Sequence, residues 1–202
     1  MIAPDTVILA AVEGPIDEAV LRRLAQHVGT DLRSVFGKQG KPSVLRSLHG
    51  YNLAAHRPPL WVVLVDLDRD ADCAPLVVSQ WLPDPAPYMC FRVAVRAVEA
   101  WLLADREQIA RFLSIPVSQI PTDPESLADP KRTLVDLAGR SRRRAIRQDM
   151  VPRPASGRAV GPAYASRIIE FVHGDWRPES AMTRADSLRR SILCLNRLLS
   201  RL

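Results

Sequence analysis

Leu60-Trp61-Val62-Val63-Leu64-Val65 is a run of six apolar residues, rich in β-branched and aromatic side chains, and it leads straight into Asp66-Leu67-Asp68. The run is far shorter than a membrane-spanning helix and reads as a strand buried on both faces. Strands of that kind belong to parallel sheets covered by helices, which points the chain to the α/β class. In an extended chain the side chains at i and i+2 point the same way. The sequence therefore predicts two carboxylates leaving the mouth of a buried strand side by side, where acids have no packing role. Like charges that close repel unless a cation or a proton lies between them, and a hard divalent metal meets that need with oxygen ligands.

A second segment repeats the pattern. Thr6–Val12 is apolar and ends in Glu13-Gly14-Pro15-Ile16-Asp17, after which Ile16, Val20, Leu21 and Leu24 follow helical spacing. Ligand sites in open α/β sheets gather outside the carboxyl ends of the strands. If the two strands are parallel neighbours, Glu13 and the Asp66/Asp68 pair share one cleft. Asp17 and Glu18 also have a plainer role, since acids in a first helical turn complement the helix dipole.

The remaining punctuation predicts an alternation of strands and helices. A helix over 16–28 precedes a short strand near Leu32–Phe36, and a loop with Gly37, Gly40 and Pro42 leads to a helix capped by Ser43. The strand 60–66, a helix near 74–82 and a strand within Tyr88–Val95 come next, and the connections are expected to be right-handed. From Arg96 the pattern turns helical, with a helix at 105–113 and a last one near 184–201 that places Leu188, Ile192, Leu195 and Leu199 on one face. Thr122-x-x-Glu125 and Thr183-x-x-Asp186 have capping-box form. The expectation is an α/β core over 1–100 and a helical, arginine-rich extension over 101–202 packed on it.

Charge is distributed unevenly. Residues 1–130 are net acidic, whereas residues 131–167 carry ten basic and two acidic side chains. Carboxylates suited to metal thus lie in one part of the chain and cations suited to phosphate in the next. Cys73, Cys90 and Cys194 are scattered without a C-x-x-C pair, and the four histidines show no ligand spacing. That argues against a zinc site or a disulfide framework and for a reducing, cytoplasmic setting. The N-terminus lacks the basic and apolar regions of a secretory signal, and no apolar run is long enough for a membrane partner.

A strand ending in Glu-Gly-x-x-Asp followed by a strand ending in Asp-x-Asp resembles the Toprim fold of topoisomerases, DnaG-type primases and overcoming-lysogenization-defect (OLD) nucleases; here the motifs are Glu13-Gly14-Pro15-Ile16-Asp17 and Asp66-Leu67-Asp68. The rest of the chain is similar to a bacterial Toprim-like family often encoded beside ABC-type ATPases. Its marks are Val98-Glu99-Ala100-Trp101-Leu102-Leu103-Ala104-Asp105, Asp129-Pro130-Lys131, Gly161-Pro162-x-Tyr164 and Asp186-Ser187-Leu188. The resemblance implies a Rossmann-like, mostly parallel sheet flanked by helices, with Glu13 as metal ligand or general base and Asp66 and Asp68 as metal ligands. It implies Asp17 as a further ligand and Glu99 as part of a second metal site. A separate ABC-type ATPase would be the partner, since no ATPase segment is present in this chain, and no tyrosine has a topoisomerase context.

The expected activity is hydrolysis of phosphodiesters in DNA or RNA with Mg²⁺ or Mn²⁺. Arg140, Arg142, Arg143, Arg144 and Arg147 are the candidates for phosphate contact. With aromatic residues at 5% of the chain, backbone binding is favoured over base stacking. Asp-x-Asp also serves haloacid-dehalogenase phosphatases, but Asp70 stands where those enzymes carry Thr or Val, and the pair follows an inner strand. The alternative from another class is a non-catalytic module that binds metal and nucleic acid or a partner protein.

Overall fold

The structure, a computed structural model, describes residues 7–71 and 73–202; Thr6, where the sequence pattern opens the first strand, lies outside them. The chain divides into two compact units. One runs to Val95 and takes in Ser187–Leu202, and the other is Arg96–Asp186.

The first unit alternates strand and helix: β1 (Val7–Val12), α1 (Pro15–His27), β2 (Asp31–Gly37), α2 (Lys41–Ala54), β3 (Leu60–Asp66), α3 (Ala74–Trp81) and β4 (Met89–Ala94). The four strands form one all-parallel sheet in the order β2-β1-β3-β4, a Rossmann-like α/β arrangement. Every residue of β3 is buried, as its unbroken apolar run requires. Trp61, Val63, Val65 and Leu67 share one cluster with Val44 and Leu48 of α2, Val77 of α3, and Phe91 and Val93 of β4. Each such side chain contributes about 1.5–3 kcal/mol on burial, so this layer fixes β3 in the middle of the sheet. α1 starts on Pro15, whose missing amide suits the first helical position, and buries Ala19, Val20, Leu21, Leu24 and Ala25. The last helix, α10 (Asp186–Leu199), buries Leu188, Ile192, Leu195 and Leu199 on the stripe that the sequence spacing predicts. Its Ser187 hydroxyl accepts a hydrogen bond from the Val95 amide at 3.2 Å.

The second unit is helical: α4 (Val98–Ala104), α5 (Arg106–Leu113), α6 (Pro130–Gly139), α7 (Arg144–Met150), α8 (Tyr164–Gly174) and α9 (Pro178–Ala181). Every residue of α4 is buried. The Trp176 indole donates to the Trp101 carbonyl at 3.2 Å. Asp105 is fully buried and accepts from the Arg177 amide at 2.9 Å and from its guanidinium at 2.6 and 3.1 Å. A buried carboxylate requires such multiple donors. No helix of the described residues is long and apolar enough to cross a membrane.

Three local expectations are corrected. α2 begins at Lys41 behind Gly40 rather than after Ser43, because Pro42 fits the first turn and the preceding glycine takes φ +82°. Neither capping box forms. Asp123, not Thr122, precedes the short 3₁₀ turn Pro124–Ser126, and the Glu125 carboxylate accepts from the Asp186 amide at 2.8 Å. Thr183 donates its hydroxyl to the Ser180 carbonyl at 2.7 Å, so it closes α9 instead of opening α10.

Candidate functional site

The carboxyl ends of β1 and β3 lie side by side, with Val12 in register with Leu64. Past Val12 the chain turns through Gly14 into α1, so β1 offers the end of β3 no further backbone rung. Glu13 supplies the missing acceptor: its Oε1 takes a hydrogen bond from the Asp66 amide at 2.7 Å. The glutamate of the first strand and the first aspartate of the third are thus joined directly. On its other side β3 continues one step further, with the Leu67 amide donating to the Ala94 carbonyl at 2.8 Å. Asp17, in the first turn of α1, is buried. Its Oδ2 lies 3.5 Å from where a Cβ on Gly14 would stand, so this carboxylate folds back over the turn that follows Glu13.

Asp66 and Asp68 do not leave an extended strand side by side. The strand ends at Asp66, and Leu67 is fully buried. Asp68 adopts φ +50° in a turn closed by the Asp70 amide on the Leu67 carbonyl at 3.1 Å. Aspartate tolerates this left-handed region better than most residues. Asp66 therefore stays buried at the strand mouth, while the Asp68 side chain is 58% exposed.

A cation that sequence reasoning did not assign meets Asp68 there. The Lys41 ammonium binds Asp68 Oδ2 at 2.6 Å and Asp70 Oδ2 at 2.8 Å. Burial works against its charge, but the hydrogen bonds to Asp68 and Asp70 and the charges of Asp68 and Glu13 outweigh it, and the lysine titrates above its ordinary range. The β2–α2 turn brings Lys41 into place. The Lys38 amide donates to the Val12 carbonyl at 2.8 Å and the Gly40 amide to the Glu13 carbonyl at 3.0 Å, so the turn wraps the end of β1. Gly37 makes this possible, because at φ +84° a Cβ would lie 2.4 Å from the Val12 oxygen. Two glycines shortly before a helix start that carries one of only three lysines were the available signal.

Glu18 is committed elsewhere: Lys38 binds its carboxylate at 2.6 Å and Arg22 at 2.8 Å. Burial alone would raise its pKa, and the hydrogen bonds and charges of Lys38 and Arg22 bring it below the ordinary carboxylate value.

Glu99 belongs to the second unit. It is 1% exposed, accepts from the Tyr164 hydroxyl at 3.1 Å, and lies 3.5 Å from the Lys131 ammonium, while its Oε2 is buried with no hydrogen-bond partner. Three of the sequence marks thus meet at one carboxylate. Asp129 caps α6 by accepting from the Arg132 amide at 2.8 Å, and Pro130 opens that helix, which sets the position of Lys131. Gly161 passes so close to the Asp149 carbonyl that a Cβ would lie 2.4 Å away, and this tight approach precedes Tyr164.

The five arginines separate into two groups. Arg140, Arg142, Arg143 and Arg144 are exposed, and Arg147 is half-buried. Arg143 donates to the Phe112 carbonyl at 3.4 Å and Arg147 to the Ser141 carbonyl, so both brace the backbone. Arg144 and Arg147, joined by Arg153, line a cleft of about 770 Å³.

Among the described residues, no three His, Cys, Asp or Glu side chains are grouped so as to hold a metal ion. The donors at the strand mouths are nonetheless all carboxylate oxygens, the type that Mg²⁺ and Mn²⁺ take. A cation, the Lys41 ammonium, already bridges two of them. In kind, the residues fit a hard divalent ion; Glu13, Asp66, Asp17 and Asp68 would hold it, with Lys41 as its competitor. No family model, curated protein or solved structure matches this chain.

Proposed function

We propose that the chain hydrolyses phosphodiester bonds of nucleic acid with Mg²⁺ or Mn²⁺, in the manner of Toprim-type nucleases, in the cytoplasm and alongside a separate ABC-type ATPase. The observation that carries this reading is the 2.7 Å hydrogen bond from the Asp66 amide to Glu13, which brings acids of two neighbouring parallel strands to one mouth. When bound, the metal would lower the pKa of a water and neutralise phosphate oxygens. The chain's own groups do the rest. The Asp66 amide orients the Glu13 carboxylate, which in this reading takes a proton from an attacking water. Lys41 offers a cation to a non-bridging phosphate oxygen. Arg144 and Arg153 supply backbone contacts that carry no sequence information.

The test is cleavage of single- and double-stranded DNA and RNA with and without Mg²⁺. Asp66→Asn combined with Asp68→Asn should lower the rate by about two orders of magnitude or more with unchanged circular dichroism. Equal cleavage by the double variant and the parent would remove the acids from the chemistry. The engagement of Asp68 and Asp70 by Lys41 favours a second reading, a non-catalytic module that binds nucleic acid or a partner. Binding without cleavage in all four substrates would select it.

A further inference from the structure

We propose that Cys90 and Cys194 form a peroxide-reactive dithiol site, in which Cys194 attacks a hydroperoxide in an arginine-lined pocket and Cys90 resolves the product to a disulfide. This site is independent of the acidic strand mouths.

Cys90 lies on β4 and Cys194 on α10, 104 positions apart by their numbering, yet the two thiols are neighbours close enough to shift one another's titration. Both are free thiols and both are buried, whereas Cys73 is exposed. Cys194 opens onto a pocket of about 270 Å³ lined by Arg92, Arg190, Leu193, Cys194 and Arg197. Arg92 lines the same pocket, its charge and the two thiols act on one another, and its Nε is buried with no hydrogen-bond partner. A buried donor left unpaired in the resting protein is costly, and an oxygen entering the pocket that Arg92 and Cys194 line would offer it an acceptor.

The neighbouring Cys90 thiol pulls the Cys194 thiol down, burial opposes it, and the charges of Arg92 and Arg197 add to the pull, leaving it at about 5. The same contact, with burial, holds Cys90 protonated well above its usual value. The order of reaction follows. The Cys194 thiolate attacks one peroxide oxygen; an S–O bond forms, the O–O bond breaks, and the departing alkoxide or hydroxide takes a proton. Oxidation to the sulfenic acid removes the negative charge that kept Cys90 protonated. Cys90 then attacks the Cys194 sulfur; the S–S bond forms, the S–O bond breaks, and hydroxide leaves with the Cys90 proton as water. Two thiols lose two electrons, and one hydroperoxide is reduced to an alcohol (or water) and water.

The experiment treats the reduced full chain with one equivalent of hydrogen peroxide, alkylates it, and maps the products by peptide mass spectrometry. A Cys90–Cys194 cross-link as the main product, with Cys73 still alkylated, is expected; preferential oxidation of Cys73, or oxidised Cys194 without the cross-link, would overturn the proposal. In Cys90→Ser, Cys194 should stop at a sulfenic acid that dimedone traps, and failure to trap it in a folded variant counts against the proposal. Between about pH 6 and 8 the wild-type rate should change less than about twofold, while free cysteine in the same buffer gains roughly a hundredfold. A parallel rise in both would show that Cys194 does not react as a pre-formed thiolate and would overturn the mechanism.

Discussion

Glu13 accepts a backbone hydrogen bond and, in the proposed reaction, also serves the site, and the two roles can be separated. Glu13→Gln keeps a carbonyl oxygen for the Asp66 amide but loses the charge, so activity should vanish with little change in stability. Glu13→Ala leaves that amide without its acceptor and should cost about 1–2 kcal/mol in urea unfolding. Equal stability of the two variants would show that the hydrogen bond contributes nothing. Lys41→Met should strengthen Mg²⁺ binding by about tenfold in calorimetric titration, because the cation that competes for Asp68 and Asp70 is gone. Unchanged or weaker binding would mean that the lysine is not a competitor. Glu18 sets an acid limit. Its folded pKa is depressed, so its contribution is full above the unfolded value of about 4.5 and is lost as pH falls through the folded value. In Glu18→Gln, stability should fall less steeply below about pH 4.5 than in the parent. Glu13 and Asp66 were legible in the sequence because acids that end apolar runs have no packing role. Lys41 was not legible, since its partners Asp68 and Asp70 lie 27 and 29 positions away and only the folded β2–α2 turn joins them.

Among the elements, β3 was the most readable, because six consecutive apolar residues leave a buried strand as the natural solution. Helix starts were less readable. Ser43 has the chemistry of a cap, but the conformational demand of the chain at Gly37 and Gly40 decides where α2 begins. The Asp-x-Asp geometry was misread for a related reason: strand alternation holds only while the chain stays extended, and the turn at Asp68 ends it. Two glycines of the β2–α2 region should therefore behave oppositely. Gly37→Ala forces a Cβ against the Val12 oxygen at positive φ and should destabilise by about 1–3 kcal/mol. Gly50, inside α2 with nothing within 4 Å of a Cβ, should gain about 0.5–1 kcal/mol on change to Ala. Thermal unfolding of both distinguishes them, and a neutral Gly37→Ala would contradict the account of how Lys41 is placed.

At the scale of the whole molecule, charge segregation was visible in the sequence, while the division of labour within the basic segment was not. Two of the five candidate arginines brace backbone carbonyls, a use that composition cannot reveal. If the exposed members meet phosphates, changing Arg140, Arg142 and Arg144 to Gln should weaken nucleic-acid binding and reduce the slope of log K against log salt by about 2–3. An unchanged slope would remove this surface from the interface. The central claim is that acids from β1 and β3 act on one divalent ion. Calorimetric titration of Mn²⁺ into the parent, Glu13→Gln and Asp66→Asn tests it most directly. The account predicts one class of site in the parent, weakened by about tenfold or more in each variant. Parental affinity in either variant would contradict it.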